Sequence, residues 1–174
     1  MCVKKQFSPR ALAMGALMAA LLCVLGPFSV PIGPIPVSLA TFVISLAAIL
    51  LGGPLAAMSV IVYLLLGAVG LPVFTGFTGG LAKMAGPTGG YMAGYVLHAL
   101  VGGLIASRFQ YRVLPCILGM ALDYLLGSAW FMFSTHAALG YTLKVCVLPF
   151  LPFDAVKLAG AVWLGRLLRR KLHL

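Results

Sequence analysis

Acidic side chains are nearly absent: Asp123 and Asp154 are the only two among 174 residues. Charged residues of either sign make up 8% of the chain, where a water-soluble domain carries about 25%. So few charges cannot cover a surface that faces water, and the bilayer must be the solvent. Cysteine chemistry is just as thinly supplied. Cys2, Cys23, Cys116 and Cys146 form no CxxC pair, and no histidine lies at ligand spacing beside them. Metal and redox roles are therefore unsupported, and no cofactor is expected; buried apolar thiols are the simpler reading. His98, His136 and His173 are widely separated, with no Ser/His/Asp or Cys/His set, so an intramembrane enzyme would lack its nucleophile and base. No GxxxxGK[ST] run occurs, and without that phosphate cradle the chain cannot itself hydrolyse ATP.

What is present is apolar: 63% of residues, with a mean hydropathy of +1.14. Only helices or closed barrels satisfy their backbone in lipid, and the long unbroken apolar runs argue for helices. At about 20 residues per crossing, the chain has room for roughly six spans. We place them at 10–27, 37–52, 54–70, 88–108, 113–133 and 153–171. Gly52-Gly53-Pro54 is a tight break between the second and third. Lys4, Lys5 and Arg10 precede the apolar run from Ala11 to Leu25 in the manner of a signal peptide, but no small-residue cleavage site ends it. It reads as a retained first helix. The expectation is an all-α membrane protein with six transmembrane helices, a single domain over residues 1–174.

The net charge of +10 could suggest nucleic acid, but the basic residues gather at segment ends without interleaved aromatics. Connections alternate in length. Three are long (28–36, 71–87 and 134–152) and two minimal. With six spans, the long loops share one face, and both termini share the other. The terminal face holds Lys4, Lys5, Arg10, Arg108, Arg112, Arg166, Arg169, Arg170 and Lys171, against Lys83 and Lys144 on the long-loop face. The excess puts both termini in the cytoplasm and the elaborate loops outside, where a binding function usually lives.

Asp154 and Lys157, at i and i+3, share one face at the start of the last helix. Two charges there are costly unless they hold each other or a ligand. Asp123, mid-depth in the fifth helix, is a second candidate by the same rule. A second cluster runs from Gly70 to Gly94. Phe74 and Phe77 flank Gly76 and could wall an apolar slot. Gly79 and Gly80 allow close backbone approach. Pro87 suits the first turn of a helix, so Thr88, Gly89 and Gly90 would open the fourth span with free N–H groups that favour an anion. Lys83 and Tyr91 stand nearby. In the first span, Ala11, Gly15 and Ala19 form one small-residue row, and Ala16 and Ala20 another. Such rows let membrane helices approach closely.

Four stretches together resemble the BioY family, the biotin-binding substrate subunits of energy-coupling factor transporters. They are Gly33-Pro34-Ile35-Pro36-Val37; Gly70-Leu71-Pro72-Val73-Phe74 with Gly76, Gly79 and Gly80; Gly86-Pro87-Thr88-Gly89-Gly90-Tyr91; and Pro149-Phe150, Pro152, Asp154, Lys157. Tyr124, Gly127 and Trp130 add a weaker fifth. The resemblance spans nearly the whole chain. It implies a protein of a bacterial-type plasma (inner) membrane that binds biotin, with a transmembrane coupling subunit and ATPase subunits as partners. Asp154 would accept the ureido N–H groups and Lys157 would donate to the ureido carbonyl. Phe74, Phe77 and Trp130 would face the apolar part of the ligand. Lys83, Tyr91 and the Thr88–Gly90 amides would be candidates for its carboxylate. Ala16 and Ala20 match the row that docks on the coupling subunit. The chain departs from the family pattern twice: Ala40, followed by Thr41, stands where a Gln often opens the second helix, and Asp123 stands where the family is usually apolar. The rival readings are a subunit for another small vitamin, an intramembrane enzyme, and a structural or chaperone-like membrane protein.

Overall fold

A computed structural model describes residues 8–32, 35–106 and 113–172. Lys4, Lys5, Gly33, Pro34, Arg108 and Arg112, which entered the reading of topology and motif, lie outside the described residues. Six long helices carry the architecture: α1 (Pro9–Leu25), α2 (Ala40–Leu51), α3 (Gly53–Ala68), α5 (Gly89–Ala106), α6 (Val113–Thr135) and α8 (Phe150–Leu172). They match the six expected segments in order. The long connections carry the departures from expectation. A two-residue hairpin, β1 (Ser29–Val30) against β2 (Val37–Ser38), fills the first. Short helices α4 (Leu81–Ala85) and α7 (Leu139–Cys146) sit in the other two.

Local chemistry sets the boundaries. Ser8 caps α1 by accepting from the Ala11 amide at 3.2 Å, with Pro9 in the first turn, where a missing N–H costs nothing. Gly52, at φ +79°, takes a conformation that disfavours side chains and turns α2 into α3. Gly53 then lets α3 cross α5 at contact distance: a Cβ there would lie 2.4 Å from the Leu100 carbonyl oxygen, and one on Gly103 would lie 2.3 Å from the Gly53 nitrogen. α8 begins at Phe150, three residues before the expected start. Pro149 and Pro152 look like a stop in the sequence, but Pro152 falls in the first turn of α8, where its missing N–H has no helical acceptor to serve.

The bundle is centred on α2, which packs against α1, α3, α5 and α8. Nine of its twelve residues are buried, as expected for a helix that is apolar all round. The outer faces stay apolar. Leu65 is 60% exposed, Phe133 74% and Trp163 70%; in water so continuous a hydrophobic surface would aggregate, whereas in lipid it needs no cover. By length and apolarity, α5 and α6 are each able to cross a membrane, and α7 with α8, bent by 40°, meets the same test if the two are taken as one span. α1, α2 and α3 are apolar but shorter; the 12 residues of α2 rise only about 18 Å.

Candidate ligand-binding site

The start of α8 meets the start of α2 and the middle of α6, and there both acids, Asp123 and Asp154, lie with Lys157. Asp154 is 2% exposed. Its Oδ1 accepts from Lys157 Nζ at 2.9 Å and from Thr41 Oγ1 at 3.1 Å, and its Oδ2 accepts from the Tyr124 hydroxyl. Lys157 has three N–H donors, and three acceptors meet them: Asp154 Oδ1, Thr41 Oγ1 at 3.3 Å and the Ser38 carbonyl oxygen at 2.6 Å. The pair is thus neutralised within itself and wired to three elements. Thr41 belongs to α2, Tyr124 to α6 and Ser38 to β2, the inner strand of the hairpin. Thr41 takes up a polar contact beside the position where Ala40 departs from the family pattern.

This network forms one wall of a cavity. Ile35, Pro36, Tyr63, Tyr91, Met92, Tyr95 and Phe150 supply most of its apolar surface; Thr75, Thr88 and Asp123 add polar groups to those of the network. Tyr91 is fixed on both sides. Its ring lies parallel to that of Phe150, with centroids 6.2 Å apart, and its hydroxyl donates to the Cys146 carbonyl at the end of α7 at 2.9 Å. α6 admits the ring because residue 127 is glycine; a Cβ there would lie 2.4 Å from Tyr91 Cε1. Removing the hydroxyl in Tyr91→Phe is expected to free the end of α7 while leaving the ring packing. The carbonyl left behind should cost about 1 kcal/mol, read as a lower unfolding midpoint and faster hydrogen exchange across 139–147.

The cavity brings together Asp154, Lys157, Tyr91 and Thr88 from the sequence-derived site and leaves the other residues outside its walls. Phe74 is fully buried, but edge-on to Tyr63 and against Gly67, where it closes the α3 turn. Phe77 is 60% exposed and meets Phe28 on the outer surface. Gly79 and Gly80 serve that turn: the Gly80 amide donates to the Gly67 carbonyl at 2.7 Å, and a Cβ on Gly79 would strike the Leu71 carbonyl oxygen. The Gly89 amide, expected to be free for an anion, donates to Gly86 O at 2.9 Å. Gly90 packs under Trp130, whose indole N–H donates to the Gly86 carbonyl. Lys83 lies half-buried on α4, apart from the cavity wall.

The sequence reading missed Tyr63, Thr75, Tyr95, Ser38 and Met92 as wall residues. Tyr95 carried a readable signal: it follows Tyr91 by four residues and so shares its helix face. Ser38 had none, since it contributes a backbone carbonyl. His98, expected to hydrogen-bond within the bundle, does so through Nε2, 3.2 Å from Ser45 Oγ.

An apolar helical bundle that encloses a tyrosine-lined cavity with the Asp154–Lys157 pair on its wall is the architecture of a membrane protein that can hold a small, mostly apolar ligand with a polar head. The sequence model of the BioY family matches residues 3–174, and the chain belongs to that family. It is 38% identical over 153 residues to a "probable biotin transporter BioY" of Pyrococcus horikoshii, covering 88% of this chain and 92% of that one. It is 36% identical over 164 residues to the biotin transporter BioY of Thermotoga maritima, covering 92% and 96%. Among solved structures, the S-component for biotin from an ECF-type ABC transporter superposes with a TM-score of 0.86 at 30% identity, covering 98% of this chain and 95% of that one.

Proposed function

We propose that this protein takes up biotin as the S component of an energy-coupling factor transporter, and that it crosses a bacterial-type inner membrane six times with both termini in the cytoplasm. The observation that carries the ligand assignment is the Asp154–Lys157 network on the wall of an enclosed apolar cavity. Biotin's ureido group offers two N–H donors and one carbonyl acceptor beside an apolar ring and chain. An ionised carboxylate has roughly four lone-pair sites. Three are filled in Asp154, which leaves one for a ureido N–H. Lys157 has no spare donor, so the ureido carbonyl would displace the Ser38 carbonyl from Nζ.

That exchange gives binding a mechanical consequence. The cavity volume is about 30 Å³, room for no more than a few waters. A ligand of biotin's size requires the walls to part, and the bond from Lys157 to Ser38 ties α8 to the hairpin that covers one side. Breaking it in favour of the ligand couples recognition to rearrangement of the lid. Transport against a gradient is then driven by ATPase subunits through a membrane coupling subunit, because the chain itself has no nucleotide cradle.

Equilibrium binding of radiolabelled biotin to detergent-purified protein tests the assignment. Saturable binding at or below micromolar biotin is expected, undiminished by excess riboflavin, thiamine or folate. No binding at micromolar biotin by folded protein would refute it, and displacement by another vitamin would move the substrate to that compound.

A further inference from the structure

Asp123 remains outside the network just described. It lies on the α6 wall of the same cavity, next in sequence to Tyr124, and is 2% exposed. Its Oδ1 has no hydrogen-bond partner among the described residues. The facing helix offers none: Gly94 lies opposite, and a Cβ there would lie 2.3 Å from Asp123 Oδ1. A carboxyl serving only to tie α6 to α5 would be expected to meet a hydroxyl or amide at this point, and instead it meets bare backbone. His98 and Ser128 also bury an unpartnered polar atom, but neither lines the cavity. Thr75 does, as a neutral hydroxyl. Asp123 is therefore an acid on the cavity wall with a buried oxygen, Oδ1, that no described residue satisfies, and an unmade hydrogen bond in a buried site is a standing cost that a ligand can remove.

Resting on the biotin reading, we propose that Asp123 is a second ligand-anchoring carboxyl that accepts one of the two ureido N–H groups while Asp154 accepts the other. The stoichiometry favours this. A cyclic urea carries its two N–H donors on opposite sides of its carbonyl, and Asp154 has about one lone-pair site left for them. Without a further acceptor on the wall, the second donor would enter a low-dielectric site unpaired, and a carboxyl oxygen accepts more strongly than the Thr75 hydroxyl. A carboxyl oxygen accepts whether or not the other oxygen carries a proton, so the role does not depend on the ionisation of Asp123.

The test is a ligand-by-variant cycle on the purified protein, with Asp123→Leu as the variant and biotin, its two mono-N-methyl ureido derivatives and biotinamide as probes. Asp123→Leu should weaken biotin by about tenfold. Methylating one ureido nitrogen should cost about the same in the wild type and nothing further in the variant, because the bond is already gone. Biotinamide, which lacks the tail carboxylate, should lose as much as biotin does. If Asp123→Leu fails to fold, Asp123→Asn decides. It keeps one acceptor oxygen, so it should hold biotin within a few-fold and retain the methylation penalty of the wild type. Unchanged biotin affinity in folded Asp123→Leu, or a loss that disappears for biotinamide instead of for an N-methyl derivative, overturns the proposal. Failure of the wild type to bind biotin at all overturns the biotin reading instead.

Discussion

Lys157→Ala is expected to abolish measurable biotin binding and, separately, to weaken the fold. Removing the ammonium leaves Asp154, 2% exposed, without its cation. Breaking a buried pair from one side typically costs about 3–5 kcal/mol, since the remaining charge is uncompensated. The same substitution deletes the donor to the Ser38 carbonyl and so unties the hairpin from α8. Affinity should fall roughly 100-fold or more through loss of a charge-assisted hydrogen bond. The two effects separate in the double variant Asp154→Asn/Lys157→Met, which removes both charges at similar volume. Its unfolding midpoint should recover most of the loss, because replacing both partners of a buried pair is far less costly than orphaning one. Its affinity should not recover. A double variant that regains stability and also binds biotin like the wild type would show that the pair is architecture alone.

The six long helices were legible because the chain is punctuated where they end. Gly26-Pro27, Gly52-Gly53-Pro54 and the stretch around Pro87 interrupt apolar runs that have no other reason to stop. The hairpin and α7 were not legible. Two-residue strands carry no periodicity, and the register of Ser29 on Ser38 and Val30 on Val37 is imposed by what the strands pack on. α7 draws its stability from burying Cys146 and Thr142 and from the Tyr91 hydroxyl, both tertiary effects. The site divides the same way. Asp154 and Lys157 stood out because charge is so rare. Asp123 was visible for the same reason, while its lack of a partner needed the facing Gly94 to be seen. Phe74 and Phe77 have the right chemistry for a ligand wall, but the turn after α3 points one inward onto Tyr63 and the other outward onto Phe28. Residue type does not encode that direction.

Ala16→Trp is expected to abolish uptake while leaving biotin affinity within about twofold of the wild type, as substitutions away from a site usually do. The two small-residue rows of α1 differ in burial. Gly15 and Ala19 are buried against α3, where Ser59 Oγ donates to the Gly15 carbonyl at 2.9 Å. Ala16 and Ala20 are exposed, and Ala16 borders an apolar groove that runs along α1 and α3 past Leu12, Leu55, Met58 and Val62. If α1 is the docking face proposed for a coupling subunit, a partner helix reaches this groove only while its lining stays small, since close approach of backbones supplies the packing in lipid. An indole at position 16 holds the partner off by several ångströms, whereas Leu17, already 62% exposed and about 100° further round the helix, should tolerate truncation to alanine. The measurement is ATP-driven uptake of labelled biotin into vesicles containing the coupling and ATPase subunits, beside binding to the isolated chain. Ala16→Trp should lower uptake by at least about tenfold, and Leu17→Ala should leave both quantities near wild type. Equal loss of uptake and of binding in Ala16→Trp would place its effect inside the bundle and remove α1 as the docking face.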